Sequence, residues 1–334
     1  MNSNIIKSIK LNNFRNHENY ALEFSKNPTL ILGKNGWGKT SILEAIYITL
    51  TGKSFRATDR DILKREAGFY RVEVEFFSGE KMIVSYDGGK KQFLIKDKKF
   101  TRLPKMYKYP AVLFLPEDLH IVATSPTKRR EYFDRVLGQL DSGYSSALSR
   151  YNKAIKQRNE LLKQEFLSRD AIFSWDIMLA KYGVEIRKKR TKIVNRLNSK
   201  LTKVYQEIAK NKDKVEIRYK SYTSEVSESE YLKLLQMDYE RDSMLGHTNF
   251  GVHKDDFEFL FNGSVADGSA SRGEVRSMVL ALKFIEAELI EEELGKKPVV
   301  LLDDVFSELD VVRRRSLTSN FSENQVVITS VEKA

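Results

Sequence analysis

Residues 33–40 carry the most specific chemical pattern in this chain. They read Gly-Lys-Asn-Gly-Trp-Gly-Lys-Thr and fit G-x-x-x-x-G-K-[ST] at Gly33, Gly38, Lys39 and Thr40. Glycines in such a loop let backbone N–H groups surround phosphates at the start of a helix. The lysine reaches the β- and γ-phosphates, and the threonine hydroxyl ligates Mg²⁺. The pattern therefore predicts a site for ATP and Mg²⁺.

Two adjacent carboxylates follow an apolar run near the end of the sequence. Residues 299–302 read Val-Val-Leu-Leu, and Asp303 and Asp304 come directly after them. Buried parallel strands are continuously apolar, and ligands bind at the carboxyl ends of such strands. We expect Asp303 to hold Mg²⁺ and Asp304 to orient and polarise the attacking water. Without the phosphate-binding loop, the same residues would indicate only a turn after a strand.

A third pattern lies between the first two. Residues 270–274, Ala-Ser-Arg-Gly-Glu, precede a predicted helix, and Ser271 and Gly273 stand where an N-cap belongs. The apolar face of this helix comprises Val275, Met278, Val279, Leu282, Ile285 and Leu289. A capped helix with no further role is the simpler interpretation of this stretch alone. Its position between the other two patterns favours a role at the nucleotide.

The elements that must position these residues are predicted from shorter patterns. The phosphate-binding loop lies between a strand at Thr29–Leu32 and a helix at residues 40–50 that Gly52 ends. Further strands are predicted at residues 5–11, 21–24, 70–77, 81–86, 91–96, 111–115, 257–261 and 325–328. Turn residues between the strands from 70 to 96 indicate antiparallel hairpins beside a parallel core.

Residues 127–210 change to a Lys-, Arg-, Leu-, Gln- and Glu-rich composition without proline, with apolar residues at helical spacing. The spaced residues are Ile193, Leu197, Leu201, Val204 and Ile208. We interpret this region as an antiparallel helical arm inserted into a head, which gives domains at 1–120, 121–244 and 245–334. The alternative is an all-helical half of one globular domain.

Composition excludes several classes of site. The 334 residues include no cysteine and four scattered histidines, so disulfides, thiolate zinc sites and cysteine nucleophiles are absent from the sequence. Any metal would therefore arrive with the nucleotide. No run approaches the roughly 18 apolar residues of a membrane span, and the N-terminus lacks a signal-peptide pattern. We expect a soluble cytoplasmic protein without a membrane partner.

The net charge of +11 is unevenly distributed. Residues 150–220 contain 20 lysines and arginines against 8 acids. The densest cluster contains Lys188, Lys189, Arg190 and Lys192, which we take as candidate contacts to the DNA backbone. A solvated helix face, or docking of an acidic partner protein, would explain the same run.

These patterns, in this order, resemble the ABC-type ATPase heads of the SMC and Rad50 group, and within it the RecF family of recombination mediators. The stretches that carry the resemblance are residues 36–47, 53–56, 116–119, 125–130, 157–162, 253–256 and 302–310. The implied fold class is α/β: an ABC-type P-loop ATPase head, with a mixed sheet, flanking helices and antiparallel hairpins, and an inserted α-helical arm domain.

The resemblance also implies site residues. Asp304 and Lys39 would be catalytic, and Thr40 and Asp303 would bind Mg²⁺. The nucleotide-binding set would comprise Gly33, Asn35, Gly36, Gly38, Lys39, Thr40, Ser41, Arg15, Asn16, Ser271, Gly273, Glu274 and Asp310.

The implied function is a weak, DNA-stimulated ATPase used as a switch in recombinational repair and replication-gap processing. Such a protein forms an ATP-dependent homodimer, binds gapped DNA or single-strand/double-strand junctions, and helps RecO- and RecR-like partners load recombinase. The alternatives are a nucleotide-gated scaffold like SMC or Rad50, and an ABC-type ATPase subunit without a DNA role. A transporter subunit usually has a histidine where Thr329 or Ser330 stands.

Three features depart from the RecF pattern. Val252 and Lys254 replace a proline and an arginine in the loop at 251–256, and Glu274-Val275 replaces two glutamines. The sequence also stops shortly after residue 330, where the family generally has a further segment.

Overall fold

The computed structural model describes residues 5–26, 28–164, 169–221 and 226–331. Its strands are β1 (Ile6–Phe14), β2 (His17–Glu23), β3 (Thr29–Leu32), β4 (Phe69–Phe76), β5 (Lys81–Asp87), β6 (Lys90–Ile95), β7 (Lys98–Phe100), β8 (Ala111–Phe114), β9 (Val215–Lys220), β10 (Asp256–Phe261), β11 (Ser264–Val265), β12 (Val299–Asp303) and β13 (Val326–Ser330). Its helices are α1 (Lys39–Thr51), α2 (Asp59–Ile62), α3 (Pro126–Leu140), α4 (Ser142–Leu161), α5 (Arg169–Ala209), α6 (Glu228–Met237), α7 (Tyr239–Leu245), α8 (Ala266–Ser269), α9 (Arg272–Leu294) and α10 (Val311–Asn320). Short 3₁₀ segments occur at Lys105–Tyr107, Pro116–Ala123 and Val305–Glu308.

The chain forms two compact units. One, the sheet unit, comprises residues 1–119 and 286–334, and the other, the helical unit, comprises residues 120–285. The domain boundaries expected from the sequence stay a prediction. The helical unit extends beyond the expected boundary at residue 244, because it includes β10. This strand pairs along its whole length with β9, which the sequence patterns did not predict.

The sheet unit contains an antiparallel sheet with the strand order β2-β1-β4-β5-β6-β7. Its inner face follows the two-residue period of a strand: in β4, Tyr70, Val72, Val74 and Phe76 are fully buried while the residues between them are not. The predicted hairpins between residues 70 and 96 are therefore confirmed.

A parallel sheet with the order β3-β13-β12-β8 forms the second layer of the sheet unit. Residues 299–303 are all buried, as a continuously apolar central strand requires. The register pairs Asp303 with Thr329 and Ser330 with Leu32. The carboxyl end of β12 therefore lies at the same sheet edge as the end of β3, from which the phosphate-binding loop begins.

One side chain ties the two sheets of this unit together. Gln325 Nε2 donates to the Ile6 carbonyl at 2.7 Å, and the Ile6 N–H donates to Gln325 Oε1 at 2.7 Å. Both groups are buried, so each would otherwise lose a hydrogen bond to water without replacement. The start of β1 is thereby fixed beside the start of β13.

In the helical unit, α4 and α5 run antiparallel around a buried arginine. Arg158 donates to Asp176 on α5 and to Asp242 on α7, both at 2.6 Å, and to the Thr248 hydroxyl at 2.9 Å. Burial, together with the nearby Asp242, raises the pKa of Asp176, while Arg158 acts in the opposite direction. Arg158 thus holds two buried carboxylates in place.

The loop that departs from the family pattern is a second buried polar network. Asp255 accepts hydrogen bonds from Arg187 and Tyr219, and His253 lies between the Tyr151 hydroxyl at 2.9 Å and the Thr248 carbonyl at 3.0 Å. Burial lowers the pKa of His253 to about 4, so its ring is neutral at pH 7. This stretch holds the helical unit together.

Among the described residues, no helix combines the length and apolarity that a membrane crossing needs.

The buried Arg158 network generates a stability prediction. Arg158→Met should lower the free energy of unfolding by about 3–5 kcal/mol, because it leaves two buried carboxylates without a cation. Arg150→Met, at an exposed position on the same helix, should change it by about 1 kcal/mol or less. Urea unfolding followed by circular dichroism measures both. Equal destabilisation by the two variants would contradict the assignment.

Candidate functional site

The phosphate-binding loop depends on its glycines. Gly36 and Gly38 have φ angles of 83° and 85°, in the left-handed region that favours glycine. A Cβ at Gly38 would collide with the side chains of Asn16 and His17. Asn16 donates to the Gly36 carbonyl at 3.0 Å, and His17 Nε2 lies 3.1 Å from the Gly38 carbonyl. The turn between β1 and β2 therefore supports the loop directly.

Lys39 is the first residue of α1, and its ammonium lies inside the loop. It donates to the carbonyl of Gly33 and to that of Lys34, the latter at 3.0 Å. The helix behind it is rigidly placed, since residues 41–50 are all buried and Gly52 ends α1 in a left-handed conformation. The cation is thus held against the backbone carbonyls of the loop.

Asp303 binds two hydroxyl groups at the sheet edge. Thr40 Oγ1 lies 2.9 and 2.8 Å from the two carboxylate oxygens, and Thr329 Oγ1 donates to Oδ1 at 2.8 Å. A hydroxyl and a carboxylate are oxygen ligands of the kind that Mg²⁺ prefers. Thr40 and Asp303 therefore fit a Mg²⁺ site.

Asp304 has two unusual features. Its φ angle is 49°, a left-handed conformation that is uncommon for a residue with a side chain. Its N–H donates to Thr329 Oγ1 at 3.0 Å, but its buried Oδ1 has no hydrogen-bond partner in the described part of the chain. A buried carboxylate oxygen without a donor is energetically costly. This atom can therefore accept a hydrogen bond from a bound molecule.

These residues surround an open cleft of about 770 Å³ in the sheet unit. Its lining comprises Arg15, Asn16, Asn35, Gly36, Trp37, Gly38, Lys39, Thr40, Ser41, Arg56, Asp61, Leu63, Lys64, Arg65, Pro116, Asp303 and Asp304. Most residues predicted for the nucleotide in this unit are therefore brought together. Gly33 and Asp310 are not among the lining residues. Asp310 instead caps α10 by accepting the Arg313 N–H at 2.8 Å.

Sequence reasoning missed Glu44, which organises one wall of the cleft. This fully buried carboxylate accepts from Arg15 at 2.9 and 2.8 Å, from Arg56 at 3.0 and 2.9 Å, and from Ser54 at 2.6 Å. Burial raises the pKa of Glu44, but these hydrogen bonds outweigh it and hold the pKa below its ordinary value. One carboxylate thus orients two guanidinium groups and leaves surplus positive charge at the cleft. A glutamate within the apolar α1 was the available signal.

Ser271, Gly273 and Glu274 belong to the helical unit, at the start of α9. The Ser271 N–H donates to the Glu274 carboxylate at 2.6 Å, and the Glu274 N–H donates to Ser271 Oγ at 3.4 Å. This is the reciprocal arrangement of a capping box. The expected N-cap is present, and the role of these residues at a nucleotide stays a prediction.

Only part of the predicted DNA-binding cluster is exposed. Lys188 and Lys192 are exposed, whereas Lys189 forms ion pairs with Asp141 and Glu185 at 2.8 and 3.1 Å.

Arg190 was wrongly placed in that cluster, because it is only 1% exposed. It donates to Asp134 at 2.8 Å and to the Val252 carbonyl at 2.7 Å. Arg158 and Arg187 are buried in the same way. The charge surplus of residues 150–220 therefore overstates the positive charge on the surface.

Comparisons with known proteins agree with this geometry. Residues 8–241 match a family model described as an AAA domain. The chain is 35% identical to DNA replication and repair protein RecF of Clostridium acetobutylicum, over 97% of this chain and 92% of that protein. It is 33% identical to RecF of Clostridioides difficile, over 98% and 91%.

Solved structures give the same result. A RecF–ATP structure, described as the recombination mediator of the RecFOR pathway, has a TM-score of 0.88 and 32% identity over 99% of this chain and 92% of that one. An Smc head bound to a domain of ScpA has a TM-score of 0.52 at 14% identity and shares the fold. The chain therefore belongs to the RecF family of DNA replication and repair proteins.

Proposed function

We propose that this protein is a cytoplasmic ATP-dependent DNA-binding protein of recombinational repair and replication-gap processing, and a weak ATPase that uses hydrolysis as a switch. The observation that carries the proposal is the meeting of the phosphate-binding loop with Asp303 and with the unpartnered Oδ1 of Asp304. A solved relative that covers nearly the whole chain is a RecF–ATP structure, which supports ATP as the nucleotide.

Each residue of the cleft has a chemical task in hydrolysis. The loop N–H groups and the start of α1 bind the phosphates, and Lys39 exchanges its carbonyl partners for β- and γ-phosphate oxygens. Mg²⁺, held by Thr40 and Asp303, neutralises phosphate charge when bound. Asp304 Oδ1 accepts a hydrogen bond from the attacking water, orients it toward the γ-phosphorus and draws off its proton.

The α9 start completes the site from a second copy of the chain. The dipole of a helix favours an anion at its N-terminus, and Ser271 and Gly273 stand at the start of a 23-residue helix. In an isologous dimer, each copy would present this end to the γ-phosphate bound by its partner. Glu274 and Asp310 would stabilise the surfaces next to the shared nucleotide. ATP thereby controls dimerisation.

DNA binding is the output of the switch. The exposed Lys188 and Lys192 on α5 supply backbone contacts, and DNA at gaps or single-strand/double-strand junctions would stimulate the weak ATPase. The RecFOR pathway of the solved relative supports RecO- and RecR-like proteins and a recombinase as partners. An ATPase rate that DNA leaves unchanged would instead favour a nucleotide-gated scaffold.

The catalytic assignment predicts separate effects of two substitutions. Asp304→Asn should keep ATP binding but lower the hydrolysis rate by about 10²-fold or more, because the amide cannot take the proton. Lys39→Ala should abolish ATP binding itself, since it removes the cation that meets the phosphates. Equilibrium titration and single-turnover hydrolysis measure the two effects. Wild-type hydrolysis by Asp304→Asn would show that another residue is the base.

The dimer model predicts a defect specific to α9. Ser271→Arg, made in the Asp304→Asn background, should block ATP-dependent dimerisation while monomer ATP binding persists, because the side chain fills the anion site. Ser227→Arg is a matched control, since Ser227 forms the same capping box with Glu230 on α6. Light scattering with and without ATP gives the masses. One mass for the parent protein under both conditions would contradict the model.

The α5 lysines predict a change in salt dependence. Lys188→Ala with Lys192→Ala should lower the slope of log affinity against log salt by about two for duplex DNA, since each neutralised phosphate accounts for about 0.9 of the slope. Lys189→Ala should add less, because that side chain is engaged with two acids. Fluorescence anisotropy at several salt concentrations measures the slope. A wild-type slope would show that these α5 lysines do not contact DNA.

A further inference from the structure

A second concentration of positive charge lies in the sheet unit. Residues 90–108 contain eight lysines and arginines and one acid, Asp97. This stretch, called here the 90–108 segment, comprises β6, β7 and the short turn at Lys105–Tyr107. Outside residues 150–220 the chain is close to neutral. The acids that balance the positive charge of the 90–108 segment therefore lie elsewhere in the chain.

Four cations of this segment are on the surface and have no acidic partner among the described residues. Lys98, Lys99, Arg102 and Lys108 are all exposed. None of the four forms an ion pair with any other residue that the structure describes. Lys96 forms a long ion pair with Glu80, at 3.8 Å. Their charge is therefore available to a ligand, unlike that of the buried arginines on α4 and α5.

Lys53 extends the cluster at the end where β6 begins, because the Lys91 ammonium donates to the carbonyl of the adjacent Gly52 at 3.1 Å. Partial burial, together with the charge of Lys53, lowers the pKa of Lys108. Burial also lowers the pKa of Lys91, as does Lys53, although Asp59 lies 2.9 Å from the Lys91 ammonium. Like charges repel each other at this end of the hairpin, and an anion bound there would relieve the repulsion.

Protection of the sheet edge explains only part of this pattern. β7 is the last strand of its sheet, and lysines on an edge strand discourage pairing with other chains. That role accounts for Lys98 and Lys99. It does not account for Arg102, Lys108 or Lys53, which lie outside β7.

The layout of the cations indicates an extended ligand. Residue 91 is close to Lys53, and residue 95 pairs with Lys98. These two positions are four residues apart along β6, or about 13 Å at about 3.3 Å per residue. A single phosphate or nucleotide would require cations that converge on one cavity. Cations spread over this distance instead match the repeated charges of a phosphodiester chain.

We propose that the 90–108 segment, together with Lys53, binds the sugar–phosphate backbone of nucleic acid, as a site additional to α5. The inference rests on the proposed DNA-binding function and locates part of it on the sheet unit. The exposed lysines and Arg102 would contact phosphates, and phosphate contacts position the nucleic acid without reading its bases. Binding through this site is therefore independent of sequence.

The test removes three charges and measures the salt dependence of duplex binding. Lys98→Ala, Lys99→Ala and Arg102→Ala together should lower the slope of log affinity against log salt by about two to three, measured between about 50 and 200 mM salt. Lys53→Ala with Lys108→Ala, at the other end, should lower it by about two. ATP binding and the basal ATPase rate should not change, because none of these residues lines the cleft.

A matched control removes the same charge elsewhere. Lys233, Arg241 and Lys254 are exposed cations of the helical unit outside residues 150–220, and their triple alanine variant should keep the wild-type slope. Equal reductions in this control and in the Lys98/Lys99/Arg102 variant would overturn the site, since they would indicate only general charge attraction. Wild-type slopes in both variants of the 90–108 site would also overturn it and favour an acidic protein as the partner. Absence of DNA binding by the unmodified protein would instead refute the proposed function.

Discussion

The site depends on the hydrogen bonds that the Asp303 carboxylate accepts from two threonine hydroxyls. This carboxylate joins the end of β12, the start of α1 through Thr40 and the end of β13 through Thr329. Hydrogen bonds to a charged group contribute about 1.5–3 kcal/mol each, and Asp303 is only 7% exposed, which places its bonds at the strong end. The order of the parallel strands brings these three segments to one edge, so the fold and the site are specified by the same register.

Sequence patterns predicted the parts of the site whose structure depends only on residues within a few positions of one another. The phosphate-binding loop needs glycines at set positions because its backbone is left-handed there, and that need is visible in the sequence. The buried strand before Asp303 is visible as an uninterrupted apolar run. The end of α1 at Gly52 and the cap at Ser271 likewise depend on residues within one turn of the helix.

The parts that the patterns missed depend on distant partners. Glu44 and Arg190 look like solvated charges until Arg15 and Asp134, 29 and 56 residues away, are placed beside them. On α5, the spacing predicted Val204 on the apolar face, but Tyr205 is the fully buried residue. In a helix of 41 residues, the buried face turns gradually around the axis, so a fixed residue spacing does not follow it to the end. Strand β9 was missed because its stability comes from pairing with β10, which follows some 35 residues later.

The bond between Ile6 and Gln325 spans 319 positions of the sequence and has a consequence for synthesis of the protein. At about 5–20 residues per second, the first strand leaves the ribosome many seconds before the glutamine that fixes it is made. The buried ion pairs of Arg158, in contrast, need nothing beyond Asp242. The helical unit can therefore mature during translation, while the sheet unit is completed only when the last strand emerges. A ribosome that stalls late would hold a chain with a folded helical unit and an unfinished sheet.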